Sequence, residues 1–162
     1  MDPTLVVGGS VFGGALIIAA SVFGGLLAFA ALLFAVRQFV HGLRDKGRAA
    51  LAARYPAADV VRSEPMALSF GLQSKGATQM RGNGVLALTR NELWFSMLVG
   101  GFSLAVPLPS IVAVTLVRSH LGKTQGTKLL HVRFTVNGVE DAIAWRVPSP
   151  EAWVESLETL RK

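Results

Sequence analysis

From Pro3 to Val36 the chain carries no charged side chain, a run of 34 residues. A helix of roughly 20 residues crosses the hydrocarbon of a bilayer, so this run is long enough to span with tilt. Two spans would need about 40 apolar residues and a turn. No Pro, Asn or Asp stands between Leu5 and Val36 to make that turn. The pattern therefore predicts a short N-terminal end at 1–5 and a single transmembrane helix over 6–36. Ala28-Phe29-Ala30 has the small-residue spacing of a signal cleavage site. Against a secretory signal stand the lack of a basic stretch ahead of the run and the run's length. Asp2 precedes the helix, whereas Arg37, Arg44, Lys46 and Arg48 follow it. The positive-inside rule then places the N-terminus outside and the C-terminal domain in the cytoplasm.

Within the helix Ser10-Val11-Phe12-Gly13-Gly14 returns as Ser21-Val22-Phe23-Gly24-Gly25, an interval of 11 residues. Eleven residues make close to three helical turns, so both copies share a face. Ser10, Gly13, Gly14, Ser21, Gly24 and Gly25 line that face and would let a second helix approach closely. Homo-oligomerisation or docking on another membrane protein is the expectation drawn from it.

The whole chain has 162 residues and a net charge of +6. Beyond the anchor there is room for one domain of common size. The basic excess is densest in 37–62, with six Lys or Arg against two Asp, while 63–162 hold ten against seven acids. Residues 37–65 read as a basic juxtamembrane helix and linker, with the helix ending at Tyr55-Pro56 because a residue before proline is pushed out of the helical region. No cysteine is present, which excludes a disulfide framework, a thiolate metal site and a cysteine nucleophile.

After Pro65 the apolar runs shorten and are punctuated by Gly, Asn and Pro, the mark of successive strands. The expected strands are 66–72, 84–88, 92–99, 102–108, 111–118, 128–136 and 139–147, with a loop over Ser119 to Lys128. Asn137-Gly138 between alternating apolar residues is the clearest hairpin signal. A final helix is expected from Pro150, capped by Ser149, with Glu151 in its first turn and Trp153, Leu157 and Leu160 on one stripe.

Seven meandering strands and a closing amphipathic helix over about 66–161 resemble the pleckstrin-homology superfold, in particular its bacterial and GRAM-like relatives. The residues that carry the resemblance are Gly84-Val85-Leu86-Ala87-Leu88-Thr89 leading into Leu93-Trp94-Phe95, Val106-Pro107-Leu108 before Ile111, and Trp153 in the last helix. The resemblance implies a seven-stranded antiparallel half-open barrel over 66–162, capped by the C-terminal helix with Trp153 as its plug. It also implies that any lipid site would use basic residues on and after the first interstrand loop. Here those are Lys75 and Arg81, aided by Lys123 and Lys128. Gln79 stands where the family pattern wants a cation, which points away from a highly charged inositol phosphate and toward a weaker anionic-lipid contact.

Catalysis has little to work with. His41, His120 and His131 are separated, His131 alternates outward with Arg133, and Asp141 should lie opposite Phe134, freed from burial by a bulge or the sheet rim. No catalytic residue, metal or cofactor is expected. The Gly-rich stretches match no phosphate-loop fingerprint. The scattered basic residues of the domain match no nucleic-acid motif, so no nucleic-acid partner is expected. The segment Trp94 to Phe102 is apolar on both strand faces, so Trp94 and Leu98 become candidates for a protein interface, unless the anchor helix or linker covers them. The resulting expectation is a membrane-anchored, non-catalytic module that binds a protein partner or itself, with anionic phospholipid as the alternative ligand.

Overall fold

The computed structural model of the chain describes the backbone of residues 9–79 and 81–162 and the side chains of 22–79 and 81–162. It divides into two compact units at Gly42/Leu43. Helix α1 runs Gly9–Arg54. It stops where expected, with Tyr55 N–H donating to the Leu51 carbonyl at 2.9 Å just ahead of Pro56. In the first unit the apolar side chains from Val22 to Phe39 stand open, Phe23 and Phe34 each 64% exposed and Phe39 68%. Among the described residues one helix, at Val22–Arg54, is long and apolar enough to cross a membrane, with a mean hydropathy of 1.8. A methyl group added at Gly24 or Gly25 would meet nothing within 4 Å, so this part of the small-residue face has no partner within the described chain. Ser10, Gly13, Gly14 and Ser21 lie outside the residues whose side chains are described.

The second unit holds a seven-stranded antiparallel open sheet in the order β4-β3-β2-β1-β7-β6-β5. The strands are β1 Val60–Leu72, β2 Gly82–Thr89, β3 Glu92–Met97, β4 Ser103–Pro107, β5 Ile111–His120, β6 Lys123–Val136 and β7 Val139–Arg146. Helix α2, Pro150–Arg161, closes the chain. All seven expected strands are present, and two boundaries differ for instructive reasons. Strand β1 begins at Val60 rather than after Pro65, because a register shift between Glu64 and Ala67 takes the proline out of the ladder. The Met66 N–H freed there is satisfied by Glu64 Oε1 at 3.0 Å. The segment from Ser119 to Lys128, expected as a loop, is a hairpin in which His120 pairs with Lys123 across Leu121-Gly122.

That turn has φ of 52° at Leu121 and 70° at Gly122, the same sense as Asn137-Gly138 with 51° and 80°. Two positive angles make the turn that joins right-twisted strands. Leucine gives no signal for it, since a left-handed residue with a Cβ is disfavoured by roughly 1–2 kcal/mol. Leu121→Asn should therefore stabilise the domain by about 1 kcal/mol in urea unfolding. An unchanged or lower midpoint would show that Leu121 is held by packing instead.

The main core lies between the inner sheet face and α2. Phe95, Phe134, Ile143 and Trp145 of the sheet meet Trp153 and Leu157, all at most 2% exposed. Leu160 packs at the margin, so the expected stripe is realised. Ser149 differs from expectation: it is left-handed, with φ 48° and ψ 59°, and its side chain makes no capping bond. Pro150 at the first helical position already lacks an N–H, and the Ser149 carbonyl accepts Ala152 N–H at 3.0 Å instead.

Two smaller clusters sit on the outer sheet face. One joins Phe70, Leu129 and Ala144, with Leu68 and Val117 against them. The other joins Val85, Ala87 and Trp94 to Ala50, Leu51 and Tyr55 at the end of α1. Leu43–Arg54 is thus part of the folded domain rather than a free linker. Gly47 makes this docking close: a Cβ there would lie 2.8 Å from the Pro65 carbonyl oxygen.

Candidate functional site

The first interstrand loop is tied down from within. Gln79 donates through Nε2 to the carbonyls of Leu72 and Gly76 at 2.6 and 2.8 Å, and its Oε1 accepts Leu72 N–H at 3.1 Å. Gln79 is thereby the brace of the loop. At the other end of the short helical turn Gln73–Lys75, Asp141 accepts Ser74 N–H at 2.9 Å and Ser74 O–H at 2.6 Å. Asp141 does pair with Phe134, and the rim position leaves its carboxylate half-buried and fully used.

Three of the four lipid candidates converge around this loop. The Lys75 Nζ sits 5.3 Å from the Phe102 ring centre. The Arg81 guanidinium lies 4.7 Å over the Phe70 ring and donates to the Thr124 carbonyl at 3.5 Å. Lys123 donates from Nζ to the Gln79 carbonyl. These partners are rings and carbonyls, none of them a carboxylate. Lys128 departs from the group, because its Nζ is 2.9 Å from Glu151. That ammonium, followed by a bond to its own backbone N–H, holds the Glu151 carboxyl below the ordinary carboxylate range.

Beside Lys75 projects the β3–β4 hairpin tip, turned by Gly100 and Gly101 at φ of 96° and 69°. Met97 N–H to the Phe102 carbonyl, at 2.8 Å, closes it. Val99 is 74% exposed, Leu98 half-buried. Trp94, the other interface candidate, is corrected: it is only 5% exposed. Tyr55 meets its ring edge-on at 5.7 Å, the Arg54 guanidinium lies 5.3 Å from it, and its Nε1 donates to Ser103 Oγ at 3.1 Å. The end of α1 consumes the second apolar face that the sequence left unassigned.

A latch that sequence reading missed secures this cover. Tyr55 donates its hydroxyl to Glu92, and Arg54 reaches the same carboxylate at 3.2 Å while donating to the Tyr55 oxygen at 2.7 Å. Burial and the bond to Glu92 push the phenol above its ordinary pKa. The only tyrosine in the chain, directly before Pro56, was the available signal.

His120, expected in a loop, ends β5 and is 7% exposed, with Nε2 3.0 Å from the Gly71 carbonyl. Its ring is 5.3 Å from that of His131. Burial lowers both pKa values, Lys123 adding to the effect at His120, and the charges of His120 and Arg133 at His131. Among the described residues no third metal-ligating side chain joins them.

No family model matches the chain, and no curated protein matches it. Solved structures do. A chain of "The 8S snRNP Assembly Intermediate" is similar at 8% identity with a TM-score of 0.51, covering 65% of this chain and 84% of that one. The C-terminal domain of an unknown protein from Leishmania infantum is similar at 14% identity with a TM-score of 0.45, covering 75% and 97%. At 8% identity the first likeness concerns fold alone.

Proposed function

We propose that this chain is a membrane-anchored, non-catalytic interaction module of pleckstrin-homology type, facing the cytoplasm and binding a protein partner or a second copy of itself. The fold part of the reading is supported by the strand order, by the register shift in β1 and by Trp153 seated in the core. The orientation is supported by the basic residues that follow Val36 and the single acid that precedes the span. The observation that carries the function is the β3–β4 tip. There Val99 is 74% exposed beside the half-buried Met97, Leu98 and Phe102, and apolar side chains grouped at one tip suit a contact surface. Anchoring raises the local concentration of any partner, so a modest tip suffices.

A second reading has its own support. Lys75 over Phe102 joins the tip to the cluster of Arg81 and Lys123, and an apolar wedge rimmed by cations suits an anionic bilayer. Two arms separate the readings. A photo-crosslinker at position 99 of the full chain in membranes should yield protein adducts that survive high salt. In parallel, flotation of residues 43–162 with anionic liposomes should be unchanged by Lys75→Ala/Arg81→Ala. Salt-sensitive flotation lost in Lys75→Ala/Arg81→Ala, with no protein adduct, would transfer the function to lipid.

A further inference from the structure

A second cationic site lies away from the loop cluster. On the outer face Asn83, Leu68 and Arg146 stand in one row across β2, β1 and β7. Beside that row is a cleft of 390 Å³ whose lining includes Met66, Leu68, Arg44 of α1 and Arg146. Arg146 uses one nitrogen on Gln125 Oε1 at 3.1 Å. Among the described residues neither arginine has a carboxylate partner. Glu64 also lines the cleft, but its Oε1 is committed to Met66 N–H at 3.0 Å. Two guanidiniums therefore share the cleft with a single carboxylate, and the lining keeps an excess of positive charge. Arg44 is also seven residues beyond Arg37, where the uncharged run ends.

From this we infer that the Arg44–Arg146 cleft holds the phosphate of an anionic phospholipid from the bilayer that contains α1. Guanidinium groups are matched to phosphate oxygens by geometry as well as charge. Asn83 offers a further donor, and Met66 and Leu68 offer an apolar lining to the glycerol backbone. This inference rests on the anchored reading of α1 and is independent of the hairpin tip.

The test uses the full chain in neutral detergent, titrated with short-chain phosphatidylglycerol or phosphatidylcholine and read by native mass spectrometry. One phosphatidylglycerol should be retained about tenfold more strongly than phosphatidylcholine, as expected for two charge-assisted contacts. Arg44→Gln/Arg146→Gln should abolish that preference, while Lys75→Ala/Arg81→Ala keeps it. Both arginines are exposed, so the variant should keep its circular dichroism, and Arg146→Gln alone serves as a second, milder disruption. An unchanged preference in both arginine variants overturns the site. Equal displacement of the lipid by inorganic phosphate would also overturn it, since the cleft would then be a free-anion site. Carbonate extraction of the wild type from vesicles checks the anchor separately. Release there would defeat the anchored reading, whereas retention with no lipid preference defeats only the cleft.

Discussion

Trp94→Ala is expected to destabilise residues 43–162 by about 3–5 kcal/mol, the range for removing a buried aromatic side chain. The sequence alone made Trp94 an interface candidate, for which truncation would leave folding nearly untouched. In the structure the indole is wedged between the β2–β3 face and the last turn of α1, with Val85 and Ala87 on one side and Leu51 and Tyr55 on the other. Its loss removes the surface on which the helix end sits and strands Ser103 Oγ without its donor. The effect should extend beyond the strand. Tyr55 and Arg54 reach Glu92 only while the helix end is seated, so hydrogen exchange at Ala50 to Arg54 should accelerate toward that of an open helix end. Leu98→Ala, at the half-exposed tip, should cost less than about 1 kcal/mol in the same urea titration. Equal losses in the two variants would mean that Trp94 is not a packing residue and would restore it as a contact surface.

Why the sequence left Trp94 open between contact surface and covered face while placing the strands follows from what each signal measures. Strand positions rest on local alternation and turn chemistry, and Asn137-Gly138, Gly100-Gly101 and Pro150 each acted within a few residues. Trp94 and Leu51 are far apart in sequence, and nothing local says that the apolar side of the helix end will cover the outer face of β3. The same limit applies to the candidate cations. Lys75, Arg81, Lys123 and Lys128 look equivalent in the sequence. Folding separates them, since β6 carries Lys128 to Glu151 while the unforeseen Leu121-Gly122 turn brings Lys123 back to Gln79. Gln79 was noticed as a missing cation, but its role as loop brace depends on carbonyls of Leu72 and Gly76 that only the folded loop presents. Arg44 and Arg146 share a cleft that no motif links, because one lies on α1 and the other at the end of β7.

Trp153→Ala should have an effect as large as Trp94→Ala, about 3–5 kcal/mol, but of a different kind. Helix α2 has 12 residues, a length at which isolated helices are marginal in water. Its attachment depends on Trp153 and Leu157, at 2% and 0% exposed, inserted among Phe95, Phe134, Ile143 and Trp145. Arg62 adds a guanidinium 5.6 Å from the indole and a 3.1 Å bond to Ser156, both from β1. Removing the indole leaves a cavity that Leu157 alone cannot hold shut, so the helix should detach before the sheet unfolds. Three observables would follow together: a lower urea midpoint, a smaller denaturant slope because less surface is left to expose, and binding of an apolar dye to the opened core. Trp153→Phe should recover most of the stability, since the position requires apolar volume and Trp153 makes no indole hydrogen bond among the described side chains. Detachment should leave the β3–β4 tip and its crosslinks intact, because the tip is closed by Met97 and Phe102 within its own hairpin. Loss of the crosslinks in Trp153→Ala would instead mean that the contact surface includes the closing helix, and the interface would have to be sought on α2 and β5.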